Sequence, residues 1–179
     1  MNLKGSQTEK NLKRTFSGES KANTKYTLYA EKAMKEGYKY ISDVFKETAH
    51  NELAHARQVY GEYLGQVKST EDNLMNSFMG ESTEATKIYK QYEEVARMEG
   101  FNEIADFYKE LAEVEAEHDI RFRKIYNGLL TGTLYKGDND SLWQCTNCGY
   151  IYEGASVPIE CPLCHFPQGW FMPYCPPSK

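Results

Sequence analysis

The sequence predicts a mainly α protein: a bundle of four long helices followed by a small metal-bound tail of short β-strands and loops. Three observations carry this. Residues 26–55 and 89–118 repeat each other at an offset of 63, with 13 identities in 30 positions, including Tyr26/Tyr89, Ala33/Ala96, Gly37/Gly100, Glu52/Glu115 and His55/His118. A repeat of this period marks a duplicated supersecondary unit, here helix, glycine turn, helix. The stretch from Ser6 to Leu130 contains no proline, whereas all six prolines lie beyond residue 157. The five cysteines all fall after residue 144, four of them in CxxC pairs.

Ser6-Gln-Thr-Glu9 reads as a capping box that opens the first helix, which Gly37 ends. The second helix spans about Tyr38 to Tyr63 and is closed by Gly61 and Gly65. Ser69-Thr70-Glu71 caps the third, which breaks at Gly100. The fourth runs to Gly128. The expected division is a helical domain over 1–130, a polar glycine-bearing linker over 131–142, and a tetracysteine domain over 143–179.

A chain of 179 residues with a net charge of -5 and no basic cluster does not present a nucleic-acid surface. No apolar run approaches a membrane span, and Met1-Asn-Leu-Lys-Gly lacks the apolar core of a signal peptide. The expectation is a soluble cytoplasmic protein whose cysteines are metal ligands in a reducing compartment.

Glu-x-x-His occurs three times: Glu47/His50, Glu52/His55 and Glu115/His118. Residues three apart share a helix face, while residues five apart lie about 140° around it. Glu47 and His50 therefore face away from Glu52 and His55, as a solvated or subunit-facing pair. The repeat preserves the other two pairs, so two hairpins related by a pseudo-twofold axis would direct two carboxylates and two imidazoles at one spot. A di-metal carboxylate site also takes glutamates from the remaining helices. The candidates are Glu19 on the first and Glu81 with Glu84 on the third. Glu19 precedes Tyr26 by seven residues and Glu81 precedes Tyr89 by eight, so the third helix is expected to carry a π-bulge.

Cys145-x-x-Cys148 and Cys161-x-x-Cys164, twelve residues apart, present four thiolates to one ion. Spacing alone fits a structural zinc ribbon or an iron centre. Cys175 has no partner in the pattern.

With Gly18-Glu19-Ser20, Glu52-Leu-Ala-His55, Glu81-x-x-Glu84, Glu115-x-x-His118 and the double CxxC tail, the chain resembles the rubrerythrin family over essentially its whole length. The resemblance implies a ferritin-like four-helix bundle with a C-terminal rubredoxin-like domain. It implies two irons bridged by Glu52 and Glu115, with Glu19 and Glu81 as terminal carboxylates and His55 and His118 as imidazole ligands. Glu84 becomes a seventh ligand, exchanging with His55 as one iron changes oxidation state. The tail holds a third iron on Cys145, Cys148, Cys161 and Cys164, shielded by Trp143, Tyr150 and Tyr152, with zinc a possible substitute. His165-Phe166-Pro167 departs from the small residues common after the last ligand, which bears on docking or electron entry rather than on the metal. Tyr26 and Tyr89 are expected to donate phenol protons to the ligating carboxylates, core packing being the alternative, and Tyr29 and Tyr92 to pack.

The implied activity is a peroxidase that reduces hydrogen peroxide to water in defence against oxidative stress. Its electrons would come from rubredoxin or an NAD(P)H-dependent reductase, since the chain has no nucleotide-binding glycine loop, and its assembly would be a head-to-tail homodimer. The rivals are a ferritin-like ferroxidase and a structural module whose tail holds zinc.

Overall fold

The computed structural model describes residues 2–176 and divides into two compact units at Lys68/Ser69. The first unit is a helical hairpin of α1 (Gln7–Lys35) and α2 (Lys39–Arg57), the latter running into a π-helical turn over Gln58–Tyr63. At its start the Ser6 hydroxyl accepts the Glu9 amide at 3.0 Å while the Glu9 carboxylate accepts the Gly5 amide, a capping box displaced by one residue. The second unit holds α3 (Thr70–Thr83), a π-helical turn (Glu84–Ile88), α4 (Tyr89–Met98) and α5 (Asn102–Thr131). Ser69 caps α3 by accepting the Asp72 amide at 3.0 Å. A three-stranded antiparallel sheet follows, in the order β2 (Ile151–Glu153), β1 (Leu142–Cys145), β3 (Phe171–Pro173).

Gly37 and Gly100 occupy equivalent places in the repeat and make the same turn, with φ of 85° and 87°. Each is the left-handed residue that follows a helix end, where a Cβ would be strained. The duplication also fixes the interior of each hairpin. Ala33, Ser42 and Ala49 are buried in the first, and their counterparts Ala96, Ala105 and Ala112 in the second. Small residues here let the paired helices approach closely. The Ser42 hydroxyl has no hydrogen-bond partner among the described residues, so Ser42→Ala should stabilise the protein by about 1 kcal/mol. Thermal or denaturant unfolding tests this, and a loss of stability would show that the hydroxyl has a partner.

Gly18-Glu19-Ser20 recurs as Gly80-Glu81-Ser82 at an offset of 62, one short of the offset that holds from Tyr89 onward. The additional residue is taken up by the π turn, in which the Tyr89 amide reaches back five residues to the Glu84 carbonyl. The π turn at the end of α2 has no such signature in the sequence. Where a continuous α-helix to Tyr63 is expected, regular hydrogen bonding stops at Arg57. Conversely, α5 continues past Gly128 to Thr131 and ends at Gly132, φ 65°.

Candidate metal centres

In the first hairpin, Glu19 on α1 and Glu52 and His55 on α2 place their ligand atoms within 4.8 Å of one another. His55 Nδ1 lies 3.2 Å from the Glu52 carboxylate and 3.3 Å from that of Glu19. In the second hairpin Glu81, Glu115 and His118 form the matching group, His118 Nδ1 lying 2.8 Å from Glu115 and 3.7 Å from Glu81. In both, the imidazole turns Nδ1 toward the carboxylates. Carboxylate oxygen with one imidazole nitrogen is a donor set for divalent iron.

The electrostatics of these groups follow from their closeness. A hydrogen bond with Glu52 raises the Glu19 carboxyl above its ordinary range, while the same contact, followed by His55, lowers Glu52. Glu52 and then Glu19 raise His55. Glu81 is raised first by burial and then by Glu115. A cation held by either ligand group would relieve this crowding of like charges.

Glu84 stands at the start of the π turn, half-buried and outside the close ligand group, but its charge raises both Glu81 and Tyr89. Tyr89 is held protonated mainly by burial and then by Glu84, Glu115 and Glu81. It also stacks on Tyr108, and Tyr92 meets Tyr108 edge-on. The first hairpin repeats this trio as Tyr26, Tyr29 and Phe45. Tyr29 and Tyr92 thus pack as expected, and Tyr26 packs as well, its phenol making no hydrogen bond to a carboxylate among the described residues. Glu47 and His50 are exposed and belong to neither ligand group.

Two contributors carry no periodic signal. Asn23 sits one turn beyond Glu19 and donates its side-chain amide to the Ala49 carbonyl at 2.7 Å, tying α1 to α2 one turn before Glu52. Its only trace in the sequence is an amide on the ligand side of α1. Asn147, between the first two cysteines, donates to Cys164 Sγ at 3.5 Å.

In the tail all four sulphurs lie within 4.8 Å of one another, with Cys145–Cys164 and Cys148–Cys161 both at 3.7 Å. A tetrahedral ion with bonds of about 2.3 Å requires edges of about 3.8 Å, so the cage is already of the right size. Trp143, Val157 and Phe171 are buried with Cys145 and Cys161, and Tyr150 and Tyr152 pack against them. The Tyr150 amide lowers Cys148, but burial and the other three sulphurs outweigh it and push the thiol up to about 12. Asn147 and the Phe166 amide, against burial, bring Cys164 down to about 6. The cage does not ionise fully unless a cation takes the proton's place.

Each CxxC turn closes with an amide returning to its first cysteine: Gly149 to Cys145 at 2.8 Å and His165 to Cys161 at 3.0 Å. Both positions have positive φ, 78° and 59°. His165 therefore occupies a conformation that suits glycine, with its ring 2.7 Å from the exposed Glu160 carboxylate. His165→Gly should stabilise the tail by about 1 kcal/mol and Gly149→Ala should cost about as much. Thermal melts of the metal-loaded tail test this, and equal effects of the same sign would contradict it.

Two helical hairpins with matching carboxylate–imidazole groups and a tetrathiolate cage are the ligand sets of a metalloprotein with oxygen- and nitrogen-liganded sites and a separate thiolate centre. The family model for rubrerythrin matches twice in tandem, over residues 10–72 and 72–138, and that for the rubredoxin-like domain of rubrerythrin matches 143–172. Rubrerythrin of Porphyromonas gingivalis is 39% identical, covering 96% of this chain and 92% of the relative. Rubrerythrin of Clostridium perfringens is also 39% identical, over 94% of this chain and 95% of its own length. A solved structure of nigerythrin in a partially reduced state aligns over 94% of this chain and 87% of that one, at 29% identity and a TM-score of 0.37. The chain belongs to the rubrerythrin family, a family of oxidoreductases. Glu19, Glu52 and His55 with Glu81, Glu115 and His118 are its di-iron ligands, and the four cysteines hold one iron.

Proposed function

We propose that this protein is a peroxidase that reduces hydrogen peroxide to two waters, using two electrons and two protons, in protection against oxidative stress. The observation that carries the reading is the presence on one chain of a duplicated two-metal ligand set and a one-electron thiolate cage. A reduced iron pair supplies the two electrons that O–O cleavage needs. The cage accepts electrons singly from an external rubredoxin or NAD(P)H-dependent reductase.

Glu84 is the carboxylate that the duplication does not explain, since its insertion in the π turn has no equivalent in the first hairpin. Glu84 would offer a further anionic oxygen to an iron held by these ligands, in exchange with His55 according to redox state. Tyr89 holds a phenolic proton beside Glu84, Glu115 and Glu81 through the pH range in which the enzyme works. Tyr26 is its counterpart in the first hairpin. Two copies associate head to tail, so that the cage of one approaches the iron pair of the other. No helix among the described residues is long and apolar enough to cross a membrane, and a cytoplasmic location fits the reduced thiols.

A coupled assay tests the activity. With NAD(P)H, a rubredoxin-type reductase and peroxide, turnover should consume one NAD(P)H per peroxide and proceed without dioxygen. Activity with ferrous iron and dioxygen alone, depositing mineral, would favour the ferroxidase instead.

A further inference from the structure

We propose that the cleft between the last turns of α5 and the tail is the docking surface for an anionic one-electron donor protein, whose carboxylates meet Arg121, Lys124 and Lys136 while its redox centre faces the Trp143 and Phe171 side of the thiolate cage. This rests on the reading that the cage takes electrons singly from an external protein. It goes beyond that reading by assigning the face at which they enter and the charge of the partner.

α5 and the tail belong to the same compact unit. They are joined at Gly128, whose carbonyl accepts the Thr133 and Leu134 amides at 2.8 and 3.0 Å. The approach is close, since a Cβ on Gly128 would lie 3.2 Å from the Leu134 Cα. Farther along, the Val157 amide donates to the Tyr135 carbonyl at 3.0 Å and the Gly137 amide to the Ala155 carbonyl at 2.9 Å. The connecting segment is thus pinned to the helix at one end and to the tail at the other. The cleft between them has a volume of about 1250 Å³. That exceeds the roughly 300–1,000 Å³ of a small-molecule pocket and suits the edge of a protein.

With a net charge of -5 the chain as a whole repels an anionic protein. The cleft reverses that sign. Arg121, Arg123, Lys124 and Lys136 line it and no carboxylate does, neither Asp138 nor Asp140 of the adjoining loop being part of its wall. Arg123 is engaged, 2.8 Å from Asp119 and stacked over the Phe78 ring. Arg121, Lys124 and Lys136 are exposed, and their side chains have no partner among the described residues. Arg121 and Lys124 stand three apart on one helix face. Lys136 belongs to the tail wall, where its backbone bridges to Ser156.

Below these cations lie Trp143 and Phe171, 3% and 5% exposed, which form the core around Cys145 and Cys161. Phe171 stands directly across the sheet from Cys145, about 5 Å away between Cα atoms. Ile120 and Met172, 59% and 48% exposed, add apolar surface to the cleft. None of the four cysteines lines it, so a partner seated there meets the aromatic shell of the cage and displaces no ligand. Where sulphurs do approach solvent, at exposed Cys148 and half-buried Cys164, the neighbouring Leu163 and the paired His165 and Glu160 offer an anionic partner no unpaired cation. In the docked pair the reduced donor loses one electron and the oxidised cage gains it, with no bond formed or broken and no proton moved.

The test reverses two charges. Lys124→Glu with Lys136→Glu leaves Arg121 in place, because that residue lies one turn beyond His118. An acidic rubredoxin serves as the donor. Its redox-inert zinc form is titrated calorimetrically into the full iron-loaded chain, and its iron form is used in NAD(P)H-coupled peroxide turnover. At low salt the double variant should bind about 10- to 100-fold more weakly, and its KM for the donor should rise by a similar factor with kcat unchanged. The difference should fade at about 1 M salt, where charges are screened within about 3 Å. Lys124→Arg with Lys136→Arg should bind as the wild type does. Leu163→Glu, beside the exposed sulphurs, should change affinity and KM by less than about twofold. Unchanged affinity in the charge-reversed pair, or a loss with Leu163→Glu in its place, would overturn the proposal. So would a charge reversal that leaves donor binding intact and instead separates copies of this chain in sedimentation. A wild-type protein that no donor protein reduces would overturn the external-donor reading itself.

Discussion

Cys161→Ser should lower NAD(P)H-coupled peroxide turnover by more than about 100-fold, while one equivalent of peroxide still oxidises the reduced carboxylate site at close to the wild-type rate. Cys161 is fully buried, and its sulphur forms one 3.7 Å edge of the cage with Cys148. Serine supplies a hard, weakly acidic oxygen at a soft-metal position, so the cage loses its ion or its potential. The six carboxylate and imidazole ligands belong to helical hairpins, whose own packing does not depend on that sulphur. Steady-state and single-turnover rates measured on one preparation separate the two roles. Because Cys161 also lies in the small core with Trp143 and Phe171, the exposed Cys148→Ser is the companion variant and should show the same split. Unchanged steady-state turnover in either would remove electron transfer from the tail.

Glu84→Ala should retain iron yet slow the oxidation of the reduced site by peroxide about 10- to 100-fold. Glu84 lies outside the close group of Glu81, Glu115 and His118, so removing it leaves the six ligands that hold the pair. Its charge nevertheless reaches Glu81 and Tyr89. A hard anionic oxygen at this point favours the ferric product over the ferrous reactant. Glu81→Ala takes a member of the close group and should instead reduce iron loading itself, by about 10- to 100-fold in affinity. Iron analysis and rapid mixing distinguish the two. Equal iron loss in both variants, or a Glu84→Ala protein that reacts at the wild-type rate, would show that Glu84 is no redox-linked ligand.

The parts of this protein that were legible in the sequence are those the duplication writes twice. Glu52/His55 and Glu115/His118 stand at one offset, and a one-residue change in that offset places the π turn of the third helix at Glu84–Ile88. The cysteine spacing likewise determines the cage, since four sulphurs on two short turns have few other ways to meet. What the sequence did not disclose rests on single contacts without a period. Asn23 gripping the Ala49 carbonyl, and Asn147 lowering Cys164, are each one hydrogen bond made by a residue type common in loops and helices alike. The π turn over Gln58–Tyr63 has no counterpart in the repeat to betray it. One substitution even hides a preserved contact: Phe16 stacks on Tyr60 at 4.5 Å, whereas at the equivalent place Phe78 receives the Arg123 guanidinium at 4.2 Å. A cation replaces a ring on the same aromatic face, which residue-by-residue comparison scores as a mismatch.

The most direct measurement is to purify the protein without oxygen, count its metals, reduce it fully, and add peroxide one equivalent at a time. The account predicts close to three irons per chain, with the first equivalent per pair withdrawing two electrons and yielding water, faster than dioxygen does. Zinc in place of iron at both centres, or an iron pair that ignores peroxide and reacts with dioxygen alone, would contradict it.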